Sequence, residues 1–136
     1  MKNSFCFVAS VLVLVIACGG NKTPEKAPPE DGKLLFNKYC LACHQADGSG
    51  VPGMYPPITN TEWVAGDKSR LIGIMLDGLE GEIKVNGQVY KTAMPSHQYL
   101  SDEQIAAILT YVRTNFGNKA DGISAAEVAT ARKTRQ

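Results

Sequence analysis

Asp31-Gly32-Lys33-Leu34-Leu35-Phe36-Asn37-Lys38-Tyr39-Cys40-Leu41-Ala42-Cys43-His44 carries more information than any other stretch of this chain. Leu34, Leu35 and Tyr39 recur at near-helical spacing, so the segment ahead of the cysteines reads as a helix. A thioredoxin-like dithiol expects a strand before its C-x-x-C, which weighs against that chemistry. A zinc site needs about four ligands. Beyond His44 only His97 offers an obvious nitrogen, and the folded part holds no third thiol. Of the four cysteines, Cys6 lies inside an apolar N-terminal block and Cys18 ends it. Cys40 and Cys43 stand three apart, whereas a disulfide framework needs spread-out pairs.

Cys40-x-x-Cys43-His44 is the attachment pattern of c-type haem. Two thiols at this spacing add across the two vinyl groups of one haem. The histidine directly after the second thiol reaches the iron from one face. Cys40 and Cys43 are therefore the expected thioether positions, and His44 the proximal iron ligand. There is no second C-x-x-C-H, so one haem is expected.

The 136-residue chain has a net charge of +1, with its Lys and Arg scattered, which speaks against a nucleic-acid partner. Lys2 precedes an apolar run from Phe5 to Ala17, too short to span a bilayer comfortably and suited to a secretory signal over residues 1–17. The boundary Val15-Ile16-Ala17-Cys18 resembles the lipobox of bacterial lipoproteins. That resemblance implies lipidation at Cys18 and a place in the bacterial cell envelope, anchored to a membrane and facing the periplasm or exterior. Two or more acyl chains hold stably, at about 0.8 kcal/mol per buried methylene. Residues 18–31, with three prolines and a single aliphatic residue, Ala27, read as a flexible tether.

Downstream, a helix is expected between Asp67 and Gly78. Two β-prone runs flank Asn86-Gly87, a strong hairpin signal over Ile83–Tyr90. Ser101 and Gln104 form a capping box, with Leu100 and Ile105 as a hydrophobic staple. Ile105, Ile108, Leu109, Val112 and Phe116 make one apolar stripe, and Gly117 is expected to stop that helix. Ser124 with Glu127, and Ile123 with Val128, repeat the arrangement for a last helix over 125–133. The basic end, Arg132, Lys133 and Arg135, suits a helix C-terminus; docking on an acidic partner is the other reading.

From about Gly32 to Gly117 the chain resembles the class I monohaem cytochrome c family. The resemblance rests on Gly32-x-x-x-Phe36-x-x-x-Cys40-x-x-Cys43-His44, Tyr55-Pro56-Pro57-Ile58, Ala93-Met94-Pro95 and Ile108-x-x-Tyr111. It implies a mainly α cytochrome c fold, with N- and C-terminal helices crossing and helices around one haem. To this the sequence adds a small β-hairpin insert and an extra C-terminal helix: a domain over 32–117 and an extension over 118–136. The helix of Ile108 and Tyr111 should then meet Gly32 and Phe36.

The family places a methionine opposite the histidine. Met94 matches its distal loop, stiffened by Pro95. Met54 falls in an early loop, and Met75 in an apolar helix that reads as core. His97 is the rival ligand, although a lone histidine in a polar loop is more often exposed. The resemblance also implies that a proline carbonyl holds the His44 ring, from Pro56 or Pro57. Trp63, Arg70 and Tyr90 are candidates for the haem propionates. A His/Met pair raises the haem potential and fills both axial positions. The implied function is single-electron transfer, not catalysis. Electrons would come from a dehydrogenase or quinol-oxidising complex and pass to a terminal oxidase or reductase. A fixed subunit of a larger complex and a haem sensor or peroxidase are the competing readings.

Overall fold

The computed structural model describes residues 30–135. The expected signal over 1–17, Cys18 and nearly all of the tether lie outside the described residues.

Helix α1 (Gly32–Tyr39) starts where the Asp31 carboxylate accepts from the Lys33 amide at 2.8 Å. It buries Leu35 and Phe36 and leaves Leu34 outside, so its inner face runs one position later than Leu34 suggests. A four-residue helix, α2 (Leu41–His44), carries the second cysteine and the histidine. After a long loop come α3 (Glu62–Ala65) and α4 (Lys68–Asp77), the latter capped by the Asp67 side chain and ended at Gly78. Strands β1 (Ile83–Val85) and β2 (Gln88–Tyr90) pair antiparallel, Ile83 opposite Tyr90. Asn86 and Gly87 both take positive φ, 48° and 84°, as a tight primed hairpin turn requires.

Helix α5 (Asp102–Thr114) begins with the expected capping box, and Leu100 and Ile105 are both buried. It crosses α1 at Gly32, where an added Cβ would collide with the Ala107 carbonyl oxygen and lie 3.0 Å from the Tyr111 Cβ. Only glycine permits that approach. Phe36 then packs on Tyr111 and Phe116, with ring centroids 5.6 and 5.1 Å apart. The helix stops at Thr114, before the expected Gly117. Asn115 is extended, and Phe116 and Gly117 turn through positive φ, 55° and 77°. This left-handed turn folds the Phe116 ring back onto Phe36 and Tyr111, and aromatic burial offsets the strain of a non-glycine residue there.

Helix α6 (Ala125–Lys133) has the expected capping box from Ser124 and Glu127. Val128 and Ile123 enter the same apolar core as Phe36 and Ile108, so the C-terminal extension and the 32–117 region share one core. At the basic end of α6 Arg132 is half-buried, and Lys133 and Arg135 are exposed. Arg132 bonds Asp102 at 2.8 Å, and Arg135 bonds Asp77 at 2.8 Å. These two cations are engaged within the molecule, although Arg135, like Lys133, lies at the surface.

Candidate haem-binding pocket

Between the α1–α5 crossing, α4 and the hairpin lies an apolar pocket open to solvent at one side. Cys40, His44, Pro56, Pro57 and Met94 all line it. Phe36 and Leu109 form wall on the crossing side, Ile74 and Met75 on α4, and Val85 on the hairpin. Cys43 is half-buried on α2 and is not part of that wall.

His44 is held by the loop that follows it. Its Nδ1 lies 3.0 Å from the Pro56 carbonyl oxygen. A carbonyl can only accept, so the proton sits on Nδ1 and Nε2 keeps its lone pair. Of the two prolines weighed, Pro56 provides this contact. The loop itself closes tightly. Gly50 N donates to the His44 carbonyl at 3.0 Å, and Ile58 N to the Gly48 carbonyl at 2.9 Å. Gly50 has φ 66°, and a Cβ there would sit 2.6 Å from the Pro56 oxygen. Burial, above all, lowers the His44 pKa; the Pro56 bond partly offsets this, and a nearby His97 charge would lower it further. The pocket thus favours neutral imidazole, the form that binds a metal.

Burial pushes the Cys40 thiol up to about 12, with Cys43 adding to the shift. A disulfide oxidoreductase needs the opposite, a thiol lowered towards neutrality. Among the described residues no group of three or more His, Cys, Asp or Glu is arranged to hold a metal ion.

The methionines separate by position. Met54 is exposed, in the early loop. Met75 is buried on α4 with Leu71, Ile72 and Leu76, as a core residue, yet it also reaches the pocket wall. Met94 sits on an extended segment whose backbone exchanges two 2.9 Å hydrogen bonds with Leu79. His97 is not exposed, as a histidine in a polar loop would be: it is only 7 % accessible, and its Nδ1 has no hydrogen-bond partner. Its backbone N–H is drawn to the Met75 carbonyl at 2.8 Å, which carries the ring inward. It is not part of the pocket wall.

The expected propionate partners divide. Trp63 lines the pocket, but its indole N–H is already given to the Lys84 carbonyl at 2.9 Å. Arg70 is exposed, stacks over Trp63 at 4.6 Å and donates to the Glu62 carbonyl. Tyr90 donates to Gln88 at 3.3 Å and is not part of the wall. Each donor is thus already committed: Trp63 ties α3 to the hairpin, Arg70 ties α4 to α3, and Tyr90 bonds within β2.

One positioning residue escaped the sequence reading. Asn118 is buried and makes three bonds: it accepts from Asn60 N and donates to the carbonyls of Ile58 and Val112. It thereby ties the Pro56–Asn60 loop to α5. A Gly-Asn pair after a helix signals a turn, but nothing local reveals the distant loop.

The donor set, an imidazole nitrogen and a thioether sulfur over an apolar cavity bordered by a thiol, fits haem c. The profile of the family described as Cytochrome c matches residues 29–116. Cytochrome c-552 of Thermus thermophilus is 39% identical over 92 residues, covering 65% of this chain and 70% of that protein. The cytochrome c subunit of the quinone alcohol dehydrogenase of Gluconacetobacter polyoxogenes is 37% identical over 107 residues. The fructose dehydrogenase cytochrome subunit of Gluconobacter japonicus is 35% identical over 106 residues. This chain covers 76% and 75% of its own length in those two matches and spans only 22% of either subunit. With the motif, the crossed helices and the profile in agreement, the chain belongs to the cytochrome c family.

Proposed function

We propose that this protein is a lipid-anchored carrier of single electrons in a bacterial cell envelope, with one covalent haem c ligated by His44 and Met94. The observation that carries the reading is convergence: Cys40, His44 and Met94 border one apolar pocket, and His44 is already fixed by Pro56. When bound, haem c supplies a ferric/ferrous couple and no substrate bond changes. The chain's own residues do the rest. Cys40 and Cys43 provide the two thioether bonds. Pro56 orients the imidazole and raises its basicity. The apolar wall keeps water from the iron, and a thioether on the second face favours the ferrous state. Electrons pass between a dehydrogenase or quinol-oxidising complex and a terminal oxidase or reductase. Cys18 carries the lipid that holds the domain at the membrane, on the tether of residues 18–31.

The test is the visible spectrum of the reduced holoprotein with and without carbon monoxide. A low-spin spectrum unmoved by the gas is expected, because His44 and Met94 would both hold the iron. A shifted spectrum would replace electron transfer by gas sensing or peroxide chemistry, and the absence of covalent haem would end the proposal. Mass spectrometry of the N-terminal peptide checks acylation at Cys18.

A fixed subunit role is favoured by one further observation. Leu34 and Tyr99 are two-thirds exposed, and several relatives are dehydrogenase subunits. Stoichiometric co-purification with a dehydrogenase would establish that role in place of a free carrier.

A further inference from the structure

The segment carrying Met94 is fastened on two sides. On the α4 side, Leu79 pairs with Met94, Ser96 Oγ donates to the Leu76 carbonyl at 2.5 Å, and His97 N donates to the Met75 carbonyl at 2.8 Å. The loop thus satisfies carbonyls at the end of α4 that the helix itself leaves open. On the other side stands one side chain from the C-terminal extension. Arg132 donates to the Gln98 carbonyl at 2.8 Å, the Leu100 carbonyl at 2.9 Å and the Asp102 carboxylate at 2.8 Å. A planar fork with three acceptors in three directions fixes position, where a lysine would offer a point charge. The same helical end holds α4, since Arg135 bonds Asp77, and its guanidinium fills the space beside Gly73. The last turn of α6 and the residues just past its end therefore grip both elements between which Met94 is presented.

We infer that Arg132 is a positioning residue for the sixth haem ligand: it holds the 98–100 end of the Met94 loop and so sets how readily the methionine leaves the iron. The inference rests on the Met94 ligation proposed above. An external ligand can bind the ferric iron only after the methionine departs, so its apparent affinity is scaled by the fraction of open molecules. Loosening the loop raises that fraction without altering the iron or the histidine.

The experiment measures cyanide binding to the ferric holoprotein, together with the sulfur-to-iron charge-transfer band, in four proteins. These are the wild type, Arg132→Gln, Arg132→Lys and Phe116→Leu. The last loosens the α1–α5 crossing, away from the Met94 loop, and reports loss of stability alone. Arg132→Gln is expected to bind cyanide about tenfold more tightly than wild type, with a weakened band. Arg132→Lys should fall between, and Phe116→Leu should match wild type while melting lower. Unchanged cyanide affinity in Arg132→Gln, or an equal gain in Phe116→Leu, would overturn the role of Arg132 while leaving the ligand assignment intact. A wild-type protein without the band would overturn both.

Discussion

Replacing Asn118 by Ala should cost about 3–5 kcal/mol, a large loss for a polar residue far from the cysteines. The carboxamide makes three hydrogen bonds, of 2.9 Å with Asn60 N, 2.9 Å with the Ile58 oxygen and 2.8 Å with the Val112 oxygen. The first two are partly buried, so water can replace Asn118, and each forfeits about 1 kcal/mol. The Val112 carbonyl is buried and would be left without that partner, costing about 1–3 kcal/mol. For a domain of this size each kcal/mol moves the midpoint by roughly 4 °C, so the melting temperature should fall by about 12 °C or more. Urea and thermal unfolding of the holoprotein would measure it, and covalent haem stays attached in both states. Asn118→Asp should be at least as damaging at neutral pH, because a carboxylate would face two carbonyl oxygens. It should partly recover in acid as the carboxyl regains a proton. A loss below about 1 kcal/mol for Asn118→Ala would refute the reasoning, since even one typical hydrogen bond contributes that much.

Three further outcomes are expected. Met94→Leu should open the reduced protein to carbon monoxide, whereas Met75→Leu, although it borders the same pocket, should cost less than about 1.5 kcal/mol and leave the spectrum closed; the reverse pattern would exchange the two assignments. Gly32→Ala should push α1 off α5 at Ala107 and destabilise by about 1–3 kcal/mol, measured by urea unfolding, and an unchanged midpoint would show the crossing to be loose. The Glu127 carboxyl is held at about 2 against an ordinary 4.5, by the Ser124 amide first, then its hydroxyl, then Lys68. Its contribution is therefore complete above pH 4.5 and lost as pH falls through 2, and Glu127→Gln should flatten the stability profile in that window.

Local signals proved the most legible. Asn86-Gly87 announced its hairpin, and Ser124 with Glu127 its helix, because each depends only on neighbours in sequence. Gly32 was placed at the crossing by family resemblance, and the structure supplies the reason in the Ala107 carbonyl. The end of α5 was misjudged for a physical cause. Gly117 is in the expected left-handed conformation, but the core draws Phe116 into positive φ first, a cost no propensity would anticipate. His97 likewise looked solvated in its Ser-His-Gln setting, and is buried because its backbone completes the end of α4. Arg132 and Arg135 read as charges suited to a helix C-terminus or to docking, and the acceptors they reach lie far away in sequence.

The two faces of the pocket therefore differ in how they are built. His44 follows Cys43 directly and meets Pro56 within one loop, so a short piece of chain suffices to position it. Met94 has no such local frame. Its place depends on Leu79, on the carbonyls ending α4, and on an arginine from the last helix. Pro95, Gln98 and Tyr99 are exposed, and a segment held by a few hydrogen bonds with little packed apolar surface opens at lower free energy than a buried helical crossing. On the ligation proposed above, the methionine side is where this protein should yield, with His44 and the two cysteines still holding the haem while Met94 moves away. Local opening at residues 94–100 before global unfolding would appear as weaker hydrogen-exchange protection at His97 and Leu100 than at Ile108. Equal protection at all three would mean that the ligand loop and the helical crossing open as one unit.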